Sequence, residues 1–137
     1  MGLRVSGVVL SNIVPVKDEE AAIGPSVEQV GAVIRAMNDP ASNSYELLFV
    51  DDGTTDGTLE AIRAANTADP RVRAVSFSRN FGKEAALSAG LDHARGEAVV
   101  PLDVDLQDPP EVLADMVAKW REGFEIVYGV RNDRQTD

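Results

Sequence analysis

Short, densely apolar runs alternate with longer mixed stretches along the whole chain. Val5–Val14, Glu46–Val50, Val72–Phe77, Ala98–Leu102 and Glu125–Val130 are rich in β-branched and other apolar residues, as strands buried on both faces are. Between them, Ser26–Met37, Thr58–Ala65, Lys83–Ala94 and Glu111–Glu122 place apolar residues at helical spacing. Pro109 and Pro110 suit a helix entry and Gly123 a helix stop. The resulting order, βαβαβαβαβ, predicts an α/β fold: a mainly parallel sheet, helices on both faces and right-handed crossovers. No repeat, low-complexity tract or linker interrupts it. Sheets of this kind bind ligands beyond the carboxyl ends of their strands, where the strand order reverses. The residues that follow each strand therefore matter most.

Those residues are polar at every strand end: "PVKDEE", "DDGTTDGT", "SRNFGKE", "DVDLQDPPE" and "RNDR". One crevice is expected to collect them. In "FVDDGTTDGT", Asp51 is placed to reach back across the strand end and Asp52 to accept hydrogen bonds from a ligand. Asp56 suits a cap on the following helix. No glycine fingerprint follows the first strand, which argues against an ordinary dinucleotide site.

"DVDLQDPPE" crowds Asp103, Asp105, Asp108 and Glu111 together directly after an apolar strand. Acids packed so closely need water or a cation among them. Residues two apart in an extended segment point the same way, so Asp103, Asp105 and Gln107 converge if the extension persists. The composition limits the choice of ion. The chain has no cysteine and one histidine, His93, so thiolate and His-rich metal sites are excluded. Oxygen ligands remain, and they suit Mg²⁺ or Mn²⁺. The other reading is a solvated acidic loop with Asp108 beside the next helix's N-terminus.

A length of 137 residues and a hydrophobic content of 44% fit one domain with a real core. The net charge of -10 argues against nucleic-acid binding, which needs a basic footprint. It leaves room for a phosphate ligand held by local donors or a metal. The apolar start is broken by Ser11 and Asn12 and reads as a first strand, not a signal peptide. No run reaches the length of a membrane span, so the chain as it stands is expected to be soluble and cytoplasmic.

Together, "IVPVKDEE", "VDDGTTDGT", "SRNFGKEAAL", "DVDLQDPPE" and "VYGVRNDR", in this order, resemble the family 2 glycosyltransferases of GT-A (Rossmann-like) fold. Within them the chain is most similar to the branch acting on polyprenyl phosphates, the dolichol-phosphate mannose synthases and undecaprenyl-phosphate glycosyltransferases. The likeness covers nearly the whole chain. It implies that residues 1–137 are the nucleotide-sugar-binding part of a GT-A domain, cut after about five strands. By the same likeness, Pro15, Val16 and Glu19 match a nucleotide-pocket motif. Lys17 and Asp18 depart from it, standing where the family prefers Tyr and Asn. Asp52 would help hold the nucleoside, and Asp103, Asp105 and Gln107 would hold the metal. Arg131 and Arg134 would meet the diphosphate or the acceptor phosphate. Asp105 and Arg131 are the expected catalytic residues.

The implied activity is metal-dependent, inverting transfer of a sugar from a UDP- or GDP-linked donor to a polyprenyl phosphate. A phosphate monoester has a second pKa of about 6 and attacks without a dedicated base, but it needs cations to approach another anion. Lys83 and Arg79 join Arg131 and Arg134 as candidates for that work, and Asp51 joins the substrate-binding set. The likeness also implies amphipathic and membrane helices downstream, at the cytoplasmic face of a membrane. Residues 1–137 are then expected to bind donor without transferring to lipid; homo-oligomerisation is left open. Two other readings compete. One is a GT-A enzyme with a hydroxyl acceptor, which needs a carboxylate base. The other is a non-catalytic nucleotide-binding or assembly module.

Overall fold

Successive residues of a strand face opposite sides of a sheet, and here both sides are apolar. The computed structural model describes residues 8–37, 44–104 and 110–122. Its elements are β1 (Leu10–Val16), α1 (Glu20–Ala36), β2 (Tyr45–Asp51), α2 (Thr58–Ala68), β3 (Val72–Ser76), α3 (Lys83–His93), β4 (Ala98–Pro101) and α4 (Pro110–Arg121). The strands form one sheet of order β3-β2-β1-β4, and every pairing is parallel. Leu10, Val14, Val16, Leu47 and Phe49 turn to one face, where α1, α2 and α4 supply Ile23, Val30, Ile34, Ile62, Leu113 and Val117. Ile13 and Val50 turn to the other, beneath α3. That division is what right-handed crossovers demand when the chain moves outward from β1 to β3 and then returns to β4.

The α3 face is thin because α3 comes close. Ala86 is fully buried against the sheet, and a Cβ on Gly90 would lie 2.4 Å from Ile13 Cγ2. Small residues, rather than a wide apolar stripe, let this helix pack.

The predicted elements are present within the described residues, with shifted bounds. The fifth predicted strand, Glu125–Val130, lies outside them. The largest shift is in α1, expected from Ser26 on the helical spacing of its apolar residues. The helix begins instead at Glu20 and carries Pro25 inside. Pro25 forgoes one intrahelical bond and crowds the preceding turn. Ile23, completely buried, draws that first turn onto the core and offsets the loss.

Pro15 sits within the central strand, where proline is ordinarily excluded. The register explains it. β4 pairs with β1 only as far as Ile13↔Pro101, followed by a last bond from Leu102 N–H to the Ile13 carbonyl at 2.8 Å. In a parallel pair, backbone groups two residues apart face the same neighbour, so the N–H that Pro15 lacks would point to the β4 side after that pairing has ended. β1 continues alongside β2 through Val16↔Asp51. The divergence of β1 from β4 opens a crevice at the point where the strand order reverses.

Candidate functional site

A cleft of about 380 Å³ occupies that crevice. The end of β1 provides Pro15, Val16, Lys17 and Glu19; the end of β2 provides Asp52; the start of α3 provides Lys83; the segment after β4 provides Asp103 and Val104. Pro15, Val16, Glu19, Asp52, Lys83 and Asp103 were all expected from the sequence, and the structure brings them together. Asp51 is not with them. It is buried, its Oδ1 accepting the Thr54 N–H at 3.0 Å and its Oδ2 the Ser76 hydroxyl at 3.1 Å, where it ties the strand end to β3. Asp105, Gln107, Asp108, Arg131 and Arg134 lie outside the described residues.

The loops after β1 and β2 are tied to each other. The Glu19 N–H donates to Thr58 Oγ1 at 2.9 Å, and Glu20 Oε1 accepts the Gly57 N–H at 3.2 Å. Asp18 has a φ of 52°, a left-handed conformation that Asp tolerates better than most side chains. Its Oδ1 accepts the Thr55 N–H at 2.7 Å, and its Oδ2 lies 2.9 Å from Lys17 Nζ. The Thr55 N–H above all, then the Lys17 ammonium, lower the Asp18 carboxyl to about 2. The bond to Asp18 raises the pKa of Lys17 in turn. Asp56, expected as a cap, lies one residue ahead of the N-cap, Gly57, and accepts both the hydroxyl and the N–H of Thr58. The Thr58 hydroxyl is the main reason its carboxyl titrates low.

The far wall is built differently. Asp52 is buried, and its carboxylate accepts from Asn80 Nδ2 at 3.0 Å, the Phe81 N–H at 2.8 Å and the Gly82 N–H at 3.1 Å. Lys83 follows at once and places Nζ 3.6 Å from Asp103 Oδ1. Arg79 instead stacks over the Phe81 ring, 4.8 Å from its centroid. His93 is exposed on the far end of α3, with Nδ1 2.9 Å from the Ala89 carbonyl oxygen, in keeping with a surface role.

Among the described residues no three His, Cys, Asp or Glu side chains gather into a group that could hold a metal ion. Asp103 is a hard oxygen donor at a strand end, is partly accessible, and already draws an ammonium group to it. Lys17 and Val104 line the cleft without having been assigned to it from sequence. The N–H groups of Asn80, Phe81 and Gly82 that engage Asp52 were not assigned from sequence either.

A model of the family "Glycosyl transferase family 2" matches residues 11–137. Over 125 residues the chain is 46% identical to the uncharacterized glycosyltransferase YkcC of Bacillus subtilis, covering 91% of this chain and 38% of that protein. Over 128 residues it is 46% identical to a prophage bactoprenol glucosyl transferase homolog of Escherichia coli, covering 93% and 40%. The chain thus spans about two fifths of the length of these relatives. Among solved structures, it is similar to the mannosyltransferase PcManGT from Pyrobaculum calidifontis in complex with GDP-Man and Mn²⁺. The TM-score is 0.64 at 31% identity, covering 79% of this chain and 31% of that one.

Proposed function

The chain belongs to glycosyl transferase family 2, and from that premise we propose that it carries the donor and metal site of an inverting enzyme that glycosylates a polyprenyl phosphate. The observation that carries this reading is the charge of the cleft. Two ammonium groups, Lys17 and Lys83, face three carboxylates, Glu19, Asp52 and Asp103, and both lysines already lie beside acids. A nucleoside diphosphate brings further negative charge and needs an added cation to bind there. The relative named as a bactoprenol glucosyl transferase homolog and the neighbour solved with GDP-Man and Mn²⁺ support the acceptor and donor classes.

In this reading Asp103, with Asp105 and Gln107, holds Mg²⁺ or Mn²⁺. Pro15, Val16 and Glu19 form the wall against the nucleoside of a UDP- or GDP-linked sugar. Lys83 meets the diphosphate, while Arg131 and Arg134 bring in the acceptor phosphate. A divalent ion, when bound, supplies Lewis-acid neutralisation of the leaving diphosphate. An acceptor phosphate oxygen attacks the anomeric carbon as the bond from that carbon to the diphosphate breaks. The nucleophile is already ionised, so no carboxylate base is required of this chain. The acceptor is too apolar to leave a bilayer, so transfer takes place at the cytoplasmic face of a membrane. No helix among the described residues is long and apolar enough to cross one.

Calorimetric titration of UDP and GDP, with Mn²⁺ or Mg²⁺ and again with chelator, tests the proposal. Binding is expected only with the metal. Equal affinity in both conditions would remove the metal from the site.

A further inference from the structure

We propose that Lys17 selects the donor's nucleobase, its ammonium donating to a ring carbonyl oxygen of the base; this rests on the donor-site reading above. Lys17 leaves the sheet beside Asp52. The Asp52 N–H donates to the carbonyl of Val16, the last residue of β1, at 2.9 Å, and Lys17 and Asp52 both line the cleft. The turn that carries Lys17 is held from two directions. Its own N–H donates to Glu19 Oε1 at 3.0 Å. Its Nζ lies 2.9 Å from Asp18 Oδ2, while Asp18 Oδ1 is bonded to the Thr55 N–H of the loop after β2. Lys83 stands with Asp103 instead. The two ammonium groups thus divide the cleft: Lys83 is with the acid after β4, and Lys17 is on the wall of β1 and β2, with the residues proposed to meet the nucleoside.

An ammonium group only donates and a carboxylate only accepts. Among the described residues, Asn80, Phe81 and Gly82 occupy three of the four acceptor positions of the Asp52 carboxylate, and the fourth suits a ligand N–H. One of the three ammonium N–H bonds of Lys17 goes to Asp18. Asp18 foremost, with Asp52 and Asp56 adding to it, raises the pKa of Lys17, so the group is a donor at neutral pH. A donor beside an acceptor matches a base edge that presents a ring carbonyl next to a ring N–H, as uracil and guanine do. At the corresponding edge adenine and cytosine present the reverse, a ring nitrogen acceptor next to an amino group. They would set donor against donor and acceptor against acceptor, leaving polar groups of the site unpaired.

The test is calorimetry with UDP, GDP, CDP, ADP and pyrophosphate, each with Mn²⁺, on the unsubstituted chain, Lys17→Met and Lys17→Arg. The unsubstituted chain should bind the tighter of UDP and GDP at least about tenfold better than CDP or ADP. Lys17→Met keeps the reach of the side chain and removes its donors. It should weaken that nucleotide about tenfold while changing CDP, ADP and pyrophosphate by less than about twofold. Lys17→Arg keeps a charged donor and should stay within about threefold of the unsubstituted chain. The Lys17 side chain is 43% exposed, so these variants should fold; if Lys17→Met does not, Lys17→Gln carries the same comparison. Equal weakening of every ligand, pyrophosphate included, would show that Lys17 meets the phosphates. Absence of the preference, or its survival in Lys17→Met, would show that Lys17 does not read the base. Either result overturns this assignment alone, whereas failure of the unsubstituted chain to bind any of the nucleotides overturns the donor-site reading.

Discussion

Replacing Glu46 by glutamine should destabilise the protein by an amount that depends on pH. Glu46 is the second residue of β2, at the end of the sheet away from the cleft, and its side chain is 3% exposed. Its Oε2 accepts the Ser11 hydroxyl at 2.6 Å and the Arg95 N–H at 2.7 Å, while Oε1 takes the Arg73 guanidinium at 2.5 Å. The same guanidinium donates to the His93 carbonyl at 3.2 Å, and Ser11 Oγ accepts the Gly96 N–H at 2.7 Å. One carboxylate thus joins β1, β2 and β3 to the end of α3. Glutamine offers one acceptor where two are used. If its oxygen stays with Ser11 and Arg95, its amide faces Arg73, which must turn to solvent. The loss of one charge-assisted bond and the weakening of the others should cost about 2–3 kcal/mol, or about 6–12 °C in Tm for a domain of this size.

Burial is the strongest influence on Glu46 and opposes its charge. The Ser11 hydroxyl, the Arg95 N–H and Arg73 together outweigh it and hold the carboxyl below the ordinary glutamate value. A depressed folded pKa adds stability that is present above the unfolded value, about 4.3. That stability is lost as pH falls through the folded pKa. Urea denaturation of both proteins should therefore show the full gap at about pH 7 and a narrowing gap below about pH 4. A gap of equal size at about pH 3.5, or one under about 0.5 kcal/mol at neutral pH, would refute the reasoning.

Gly90→Ala should cost about 1–3 kcal/mol by forcing α3 off Ile13, and Ile13→Val in the same chain should recover part of the loss in chemical denaturation; no recovery would place the strain elsewhere. In a transfer-competent form of the protein, Asp105→Asn should depress both donor binding and turnover. Asp108→Asn should chiefly lower stability, by about 1 kcal/mol, as loss of a helix cap does, and comparable losses of turnover at unchanged Tm would reverse that assignment.

The fold was legible because parallel strands buried on both faces leave dense apolar runs, most plainly in β2, whose seven residues are all buried; β3 is an edge strand with only Val72 buried. The site was legible as a place for a related reason: a doubly wound sheet sends all its strand ends to one side, so polar residues after the strands had to meet. The role of each side chain was harder to read. Asp51 and Asp52 are neighbours in sequence and chemically identical, yet one ties β2 to β3 and the other holds the turn ahead of α3. Which does which depends on the face each occupies at the strand end, and one residue of register exchanges them. The start of α1 at Glu20 was missed because the burial of Ile23, which draws the first turn onto the core, is not visible in sequence. Glu46 was read only as the start of a strand, because its partners are 27 to 49 residues away.

The cleft's two lysines limit how a donor can be held. Lys17 lies against Asp18 and Lys83 against Asp103, so each ammonium approached by a phosphate must be shared with an acid. Lys83 turns to a phosphate at less cost when a further cation lies beside Asp103. In the proposed site that cation is the divalent ion, which makes metal and nucleotide interdependent: each lowers the electrostatic cost of binding the other, by the same factor in both directions. The acceptor adds another anion to a site whose cations are then committed to the donor. Supplying its countercharge from a separate segment, the role proposed for Arg131 and Arg134, lets the donor site close before the acceptor phosphate arrives.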